Sequence, residues 1–294
     1  MRIVITGAAG FIGQYLTASL SAQHEVIALA RDTEKANLAA GISVIPMDLT
    51  APLKTETLPT QVNVLIHLAQ ANVAFPEAAN ELFAVNTSAT QHLLDYGRGA
   101  GAQQFILAST GDVYGPRLGM CRESDTAAPA SYYGATKYAS ELLVNSYASY
   151  LKPCVLRLFQ PYGPGQVNRL IPKLADRIRQ GQAMRLNQGN RPHVTPIYID
   201  DVVSAFERVI ALSYAGLLNI AGDTVVSLRG LAEALGQVLG AQPNFEETDA
   251  ETGDMMGDNS RMKEALGITP GVGLNEGLSH TFANEEATKC QTQN

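Results

Sequence analysis

Cysteine is scarce in this sequence. Cys121, Cys154 and Cys290 lie far apart and form no Cys-x-x-Cys pair. This spacing predicts neither a disulfide framework nor a zinc site, and no other metal centre is expected. Because disulfides are rare where thiols are kept reduced, the pattern favours the cytoplasm as the place where the protein works.

Positive charge is also in short supply. The chain has 21 Lys and Arg against 28 Asp and Glu, which gives a net charge of −7. A protein that follows a phosphate backbone needs the opposite sign, so nucleic acid is not an expected partner. No apolar run approaches the length of a membrane span, and the first strand begins almost at once. We therefore expect neither a membrane anchor nor a signal peptide.

The sequence also lacks several known catalytic motifs, and it contains no internal repeat. The sequence has no P-loop, no His-Glu-x-x-His and no Gly-x-Ser-x-Gly. These absences argue against a nucleotide hydrolase, a zinc protease and an α/β-hydrolase.

What the chain does have, at its start, is a strand, a glycine turn and a helix. Arg2–Thr6 is a β-branched run, and Gly7, Gly10 and Gly13 follow before apolar residues recur at helical spacing. Such a turn brings backbone N–H groups and the positive end of a helix dipole to a pyrophosphate. The pattern predicts a dinucleotide site, and a glycine turn without a ligand is the other interpretation.

The end of the second predicted strand, Glu25–Ala30, bears on the choice of cofactor. An acidic residue at this point binds the ribose 2′-hydroxyl of NAD, whereas an arginine accommodates the 2′-phosphate of NADP. The sequence reads Arg31-Asp32. We interpret Arg31 as a phosphate ligand and predict NADP, while Asp32 leaves NAD open and a solvated Arg–Asp pair is the alternative without a ligand.

Further apolar segments predict a mostly parallel sheet. Strands are expected at 43–49, 62–69, 104–108 and 154–159, with helices at 82–96 and 133–150. The segment 62–69 is apolar enough to be buried on both faces, so we expect its His67 to be a hydrogen-bonded core residue. The order of elements predicts an α/β fold with a doubly wound parallel sheet of the Rossmann type.

A stretch rich in proline and glycine at 161–165 is the best candidate for a domain edge. Beyond it we expect a smaller mixed C-terminal domain, with the substrate in the cleft between the two. The predicted parts are 1–164 with 197–222 as the dinucleotide-binding domain, 165–196 with 223–282 as the substrate domain, and 283–294 as a disordered tail.

A phenol and an ammonium lie four positions apart at Tyr133 and Lys137. In a helix they share one face, and an ammonium beside a phenol favours the phenolate. We therefore expect the pKa of Tyr133 to fall from about 10 toward neutrality, which suits a general acid or base. A coincidental pair on a solvated helix is the other interpretation. Thr110, at the carboxyl end of a predicted strand where ligands bind, favours the catalytic one.

Together these motifs resemble the extended short-chain dehydrogenase/reductase family, the group named for NAD-dependent epimerases and dehydratases of nucleotide sugars. The resemblance covers about 2–278 and rests on the glycine turn, Thr110, Tyr133 and Lys137. Further matches are Asp48-Leu49, His67-Leu68-Ala69, Asn86, Arg157-Leu158-Phe159, 162–165, Asp200-Asp201-Val202 and 219–222.

The resemblance implies a role for each matching residue. Tyr133 would transfer the proton of the reacting oxygen, Thr110 would hydrogen-bond that oxygen, and Lys137 would bind the nicotinamide ribose. Asp48 would contact the adenine. The residues implied to bind the cofactor are Gly7, Gly10, Phe11, Ile12, Gly13, Arg31, Asp48, Leu49, Leu68, Ala69, Gln70, Asn86, Tyr133, Lys137 and Pro161. A homodimer that packs 86–96 and 133–150 against their symmetry mates is also implied.

Departures from the family pattern narrow the activity. Gly111-Asp112 stands where 4,6-dehydratases carry two functional groups, so dehydration is not expected and Asp112 alone remains a catalytic candidate. Gln160 stands where an asparagine often contacts the sugar nucleotide. Many members also place an arginine against the nucleotide diphosphate shortly before the position of Tyr198. Here the candidates to replace it are Arg169 and Arg191. The substrate candidates are thus Thr110, Gln160, Arg169, Arg191 and Tyr198.

Three functions follow from these observations. The preferred one is a nucleotide-sugar 4-ketoreductase, because Arg31 points to an exchanging NADPH pool. The second is a nucleotide-sugar 4-epimerase that keeps its NAD. The third, from another class, is a cofactor-sensing protein without catalysis, which the joint presence of Tyr133, Lys137 and Thr110 argues against.

Overall fold

Strands and helices alternate along most of the chain. A computed structural model describes residues 1–32, 38–39, 41–71, 73–187, 190–250 and 252–291, with side chains up to residue 283. The strands are β1 Arg2–Thr6, β2 Glu25–Ala30, β3 Ser43–Pro46, β4 Val64–His67, β5 Gln104–Thr110, β6 Met120–Cys121, β7 Lys152–Leu158, β8 Pro161–Tyr162, β9 Ala183–Asn187, β10 His193–Val194, β11 Ile197–Tyr198, β12 Gly216–Ile220, β13 Val226–Ser227, β14 Asn244–Thr248 and β15 Met256–Gly257. The helices are α1 Phe11–Ser21, α2 Ala79–Phe83, α3 Ala89–Gly99, α4 Tyr132–Ser146, α5 Leu170–Arg179, α6 Ile199–Ala211, α7 Leu228–Leu239, α8 Ser260–Leu266 and α9 Leu274–Gln291.

The main sheet has seven strands in the order β12-β7-β5-β4-β1-β2-β3, counted over the described residues. Each neighbouring pair in it is parallel. The chain moves outward from β1 through β2 to β3 and then returns to place β4 on the other side of β1. The crevice between the carboxyl ends of β1 and β4 is thus the position where open α/β sheets bind ligands. The predicted α/β fold with a doubly wound parallel sheet is confirmed.

Both faces of this sheet are buried. In β1, Ile3 and Ile5 join a core that packs against α1, α5 and α6, whereas Val4 joins a second core under α3 and α4. Because side chains alternate across a strand, each strand needs apolar residues at every position to supply both cores. The near-continuous apolar runs in the sequence meet this need.

Several predicted elements differ from the structure in their bounds, and two of these differences have a visible cause. The strand expected at 43–49 ends at Pro46, because the carboxylate of Asp48 turns the chain by accepting from the backbone N–H of Thr50 at 2.9 Å. The helix expected at 82–96 is divided into α2, a π-helical turn at Ala84–Ser88, and α3. Asn86 lies in that turn, where it bonds outward to other segments.

Smaller strand pairs surround the carboxyl edge of the main sheet. The pairs are β11 with β8, β14 with β9, β15 with β6, and β10 with β13. Strand β12 lies beside β7 in the main sheet, so the chain after α6 rejoins that sheet.

The chain's last described residues are helical. Helix α9 continues to Gln291 where the sequence predicted a disordered tail from 283, and 292–294 lie outside the described residues. Alanine and glutamate follow one another in this segment, and both favour helix despite the polar composition. Among the described helices, none combines the length and apolar character that crossing a bilayer requires.

Candidate active site

A cavity of about 740 Å³ opens at the carboxyl edge of the sheet, above β1 and β4. It runs from the glycine turn past Arg31 and Asp48 to Thr110, Asp112 and Tyr133. The predicted site residues that line it are Gly7, Gly10, Phe11, Ile12, Gly13, Arg31, Asp48, Leu49, Leu68, Ala69, Gln70, Thr110, Asp112, Tyr133, Gln160, Pro161 and Arg169. Four of the predicted residues are not part of its wall: Asn86, Lys137, Arg191 and Tyr198.

The glycine turn brings three backbone segments into direct contact. Gly7 has φ +68°, and a Cβ on it would lie 2.6 Å from the backbone nitrogen of Ala69. A Cβ on Gly13 would lie 2.3 Å from the carbonyl oxygen of Gly7. Only glycine allows the start of α1 to approach β1 and the end of β4 this closely. This cradle leaves the first-turn N–H groups of α1 directed at the cavity, as a pyrophosphate requires.

We expect Gly13→Ala to destabilise the protein by several kcal/mol, since its new methyl group meets backbone atoms that have no room to move. Gly99→Ala is the matched control. It lies at the end of α3 with no atom within 4 Å of a new Cβ, and should stabilise by about 0.5–1 kcal/mol. Urea unfolding of both variants measures the difference, and equal midpoints for Gly13→Ala and wild type would contradict the packing argument.

One end of the cavity carries Arg31 and Asp48. The guanidinium of Arg31 lies 3.9 Å from a carboxylate oxygen of Glu81, and its side chain is 74% exposed. Hydrogen bonds from the backbone and hydroxyl of Thr50 lower the pKa of Asp48, and the nearby charge of Arg31 lowers it further. This end therefore presents a permanent carboxylate beside a guanidinium that is free to swing, as the adenosine half of a dinucleotide would need.

The other end is formed by β5 and α4. Ser131 caps α4 by accepting from the N–H of Gly134 at 3.0 Å, so the helix starts where Tyr133 faces the cavity. The Tyr133 hydroxyl donates to Oε1 of Gln70 at 2.5 Å. Thr110 ends β5, and its hydroxyl donates to Asp112 at 3.2 Å. Asp112 thus orients the Thr110 hydroxyl beside Tyr133.

The pKa of Tyr133 is raised, which corrects the expectation that Lys137 lowers it. Burial is the largest cause, and the charge of Asp112 adds to it, while Arg169 and a hydrogen bond from Thr110 act in the opposite direction. Burial also raises the pKa of Asp112. Desolvation disfavours the phenolate more than the surrounding charges favour it. Tyr133 is therefore protonated at neutral pH and ready to act as a proton donor.

Lys137 lies one helical turn below Tyr133 and is completely buried. Its Nζ has no hydrogen-bond partner among the described residues. Burial lowers its pKa to about 8, although Glu141 opposes the shift. A buried ammonium without acceptors is costly, and the hydroxyls of a nicotinamide ribose are acceptors of the kind it lacks. The residues present therefore suit the cofactor: the glycine turn for its pyrophosphate, Asp48 for its adenosine half and Lys137 for its ribose.

His67 is the core residue that the sequence predicts. It is fully buried, and its Nδ1 lies 2.7 Å from the hydroxyl of Thr6. Burial and the charge of Lys137 lower its pKa to about 3. The imidazole is therefore neutral at physiological pH, as a core histidine is expected to be.

Asn86 lies behind the cavity wall and holds it together. Its side chain accepts from the N–H of Ala71 at 2.8 Å and donates to the Thr136 hydroxyl at 3.1 Å. The loop that carries Gln70 is thereby fixed to the helix that carries Tyr133. Asn86 contributes to the site through this junction and not by lining it.

Two substrate candidates are held away from the cavity. Arg191 donates to Asp254 at 2.7 Å, and that carboxylate also accepts from the backbone of His193. Tyr198 is buried, with its ring edge-on to Tyr162 at 5.6 Å between centroids. Each side chain is committed to packing or to an ion pair inside the protein, which is why neither lines the cavity.

Sequence reasoning missed a buried ion pair behind Lys137. Glu141 and Arg157 are almost fully buried, and the distance from the guanidinium Nη2 of Arg157 to the carboxylate Oε2 of Glu141 is 2.6 Å. Glu141 also accepts from Ser109, and Arg157 lies over the ring of Tyr114 at 4.4 Å. The signal was available for Glu141, because a position four residues after Lys137 falls on the same helix face. No comparable signal existed for Met255. This residue lines the cavity, and its Sδ accepts a hydrogen bond from the side-chain amide of Gln160 at 3.2 Å.

A dinucleotide cleft that ends at a tyrosine, with a lysine one turn deeper, defines a short-chain dehydrogenase/reductase of the extended kind. The chain belongs to the NAD dependent epimerase/dehydratase family, whose model matches residues 3–221.

Similar proteins cover nearly the whole chain. The UDP-glucose 4-epimerase of Mycolicibacterium smegmatis is 29% identical, over 96% of this chain and 97% of its own. UDP-glucuronic acid decarboxylase 6 of Arabidopsis thaliana is 26% identical, over 95% of this chain and 87% of its own. Among solved structures, MoeE5 in complex with UDP-glucuronic acid and NAD is 28% identical in sequence, with a TM-score of 0.86. The match covers 98% of this chain and 100% of the MoeE5 chain.

Proposed function

We propose that this enzyme is a nucleotide-sugar 4-ketoreductase that uses NADPH. The observation that carries the proposal is Arg31, which lines the cavity at the end where Asp48 lies and offers a guanidinium where a 2′-phosphate would be bound. Tyr133 is protonated and can supply the proton that reduction of a carbonyl consumes. Membership of the family supports a sugar nucleotide as substrate.

In this reaction the nicotinamide, when bound, supplies the hydride that reaches the carbonyl carbon. Tyr133 gives its phenolic proton to the carbonyl oxygen, and the product is a hydroxyl group. The Thr110 hydroxyl, which donates to Asp112 in the free protein, would turn its single proton toward the same oxygen when substrate is bound. Lys137, on the next turn, would bind the hydroxyls of the nicotinamide ribose and hold the hydride donor beside the carbonyl, and a proton from water restores Tyr133.

A second candidate is a 4-epimerase with a retained NAD. The observations that favour it are the relative named UDP-glucose 4-epimerase and the MoeE5 structure that contains NAD. Such an enzyme would oxidise and reduce the same carbon with the same residues, so the site alone supports both. A panel of nucleotide sugars and keto-sugars separates them. Net consumption of NADPH supports the reductase, and interconversion of epimers without net consumption overturns it in favour of the epimerase.

We expect Arg31→Gln to raise the KM for NADPH by about tenfold and to leave the KM for NADH unchanged. A charge-assisted hydrogen bond to phosphate contributes about 1.5–3 kcal/mol, and exposure of the Arg31 side chain places its effect at the lower end. Arg2→Gln is the control, because that arginine pairs with Glu25 and does not line the cavity. A parallel rise in both KM values would show that Arg31 does not read the phosphate.

We also propose a cytoplasmic homodimer in which α3 and α4 pack against their symmetry mates. Apolar side chains along this face support it: Phe83 is 48% exposed at the end of α2, and Leu142 is 54% exposed on α4. Helices α2 and α4 contact each other, so the two side chains lie on neighbouring elements of the proposed interface. Light scattering of wild type and Leu142→Glu tests the assembly.

A further inference from the structure

The cavity contains very few cations. Among the described residues that line it, Arg31 and Arg169 are the basic ones. Arg31 adjoins Glu81 and Asp48, at the end assigned to the cofactor. Arg169 lies at the start of α5, on the same wall as Gln166 and near Tyr133. The catalytic end therefore has a single guanidinium with which to bind a negatively charged substrate.

Arg169 is free to bind such a group. Its guanidinium makes no hydrogen bond or ion pair with any residue in the described part of the chain, whereas Arg191 is neutralised by Asp254. Arg169 lines the same cavity as Tyr133 and Asp112, and its charge offsets part of the rise that burial causes in their pKa values. Arg169 therefore belongs to the end of the cavity where the reacting carbon must lie.

The question is which anionic group of a substrate Arg169 would bind. A nucleotide uronic acid carries two such groups, the diphosphate and the carboxylate on the sugar ring. The diphosphate is separated from C4 by the width of the sugar ring, whereas a carboxylate on C5 is attached next to the reacting carbon. The planar fork of an arginine binds a carboxylate through two parallel hydrogen bonds. A carboxylate at this position would also need a cation to offset repulsion by Asp112.

We propose that Arg169 binds a carboxylate on the sugar ring of the substrate, so that the protein selects nucleotide uronic acids over neutral nucleotide hexoses. This inference rests on the proposed function for the position of the sugar, and it names the substrate class of the same site. It also assigns Arg169 a different role from replacing the family's diphosphate-binding arginine.

The test compares UDP-glucuronic acid with UDP-glucose, which differ only in whether C6 is a carboxylate or a hydroxymethyl group. Calorimetric titration of the protein with saturating NADP measures both dissociation constants without any turnover. We expect wild type to bind the acid at least about tenfold more tightly than the neutral sugar. In Arg169→Gln the affinity for the acid should fall to that of the neutral sugar, while the affinity for UDP-glucose stays unchanged.

Lys173→Gln is the matched control, since Lys173 is an exposed cation one turn along α5 that does not line the cavity. Its affinities for both sugars should equal those of wild type. An equal loss for both sugars in Arg169→Gln would assign the arginine to the diphosphate and overturn the inference. The absence of a preference in wild type, or of binding by either sugar, would overturn it as well.

Turnover is measured separately, so the two proposals can fail independently. Preferential binding of the acid through Arg169, with no NADPH consumed on nucleotide 4-keto sugars, would refute the ketoreductase and leave the carboxylate site standing. Reduction of neutral 4-keto sugars, with no preference for the acid, would support the ketoreductase and refute the carboxylate site.

Discussion

Replacing Tyr133 with phenylalanine is expected to lower kcat by about 10²–10⁴, because the variant loses the group that transfers the proton. The affinity for the cofactor should change little, since the phenyl ring remains and only the hydroxyl that donates to Gln70 is removed. Turnover of a nucleotide 4-keto sugar and a fluorescence titration with NADPH measure the two quantities.

Tyr132→Phe provides the control for this experiment. Tyr132 is the adjacent residue on α4, but its ring stacks on Phe75 at 4.7 Å between centroids and it does not line the cavity. Its kcat should stay within twofold of wild type, about 0.4 kcal/mol. If Tyr133→Phe retained full turnover, the assignment of the proton donor would be wrong.

Lys137→Met is expected to make the cofactor-free protein more stable while it removes activity. The buried ammonium has no acceptor among the described residues, and its pKa is lowered to about 8. Against an unfolded value of about 10.4, this shift corresponds to about 3 kcal/mol of destabilisation at neutral pH. A methionine of similar length fills the same space without a charge. Activity should fall at least about 100-fold, because the nicotinamide ribose loses the group proposed to hold it in place.

The sign of the pH dependence follows from the direction of the shift. Between pH 8 and about 10.4 the unfolded chain binds more protons at Lys137 than the native protein does, so the penalty is relieved as the pH rises. The stability gained by Lys137→Met should therefore decrease from about 3 kcal/mol at pH 7 to about 1 kcal/mol at pH 9.5. Urea unfolding at both pH values measures it. Lys152→Met, at an exposed position on β7, should show neither effect. A less stable Lys137→Met at pH 7 would contradict the argument.

Local patterns predicted the sheet and the position of the cavity because both depend on short-range spacing. The β-branched runs identify strands that are buried on both faces, and the glycine turn after β1 identifies the ligand-binding edge. The position of Tyr133 one turn from Lys137 follows from helix geometry alone. The sheet, the cavity edge and the Tyr133–Lys137 spacing can therefore be predicted without knowing which distant segments contact each other.

The parts that were not predicted depend on contacts between distant segments. Arg191 and Asp254 are 63 positions apart, and no spacing rule identifies such a pair. The raised pKa of Tyr133 is likewise a property of burial, which depends on every segment packed around it. The sequence shows which charges are near one another along a helix, and it does not show how much water surrounds them.

The π-helical turn at Ala84–Ser88 is the part of this helical segment where the loss of a residue disturbs the packing least. A π turn accommodates one residue more than an α turn, so removing a single residue there would let the turn close to a regular α turn while α2 and α3 keep their places. Removing a residue between Ala89 and Leu93 would instead rotate the rest of α3 by about 100° and take Leu93 and Leu94 out of the core under the sheet. Deletions in related genes should therefore fall in the π turn before they fall in α3.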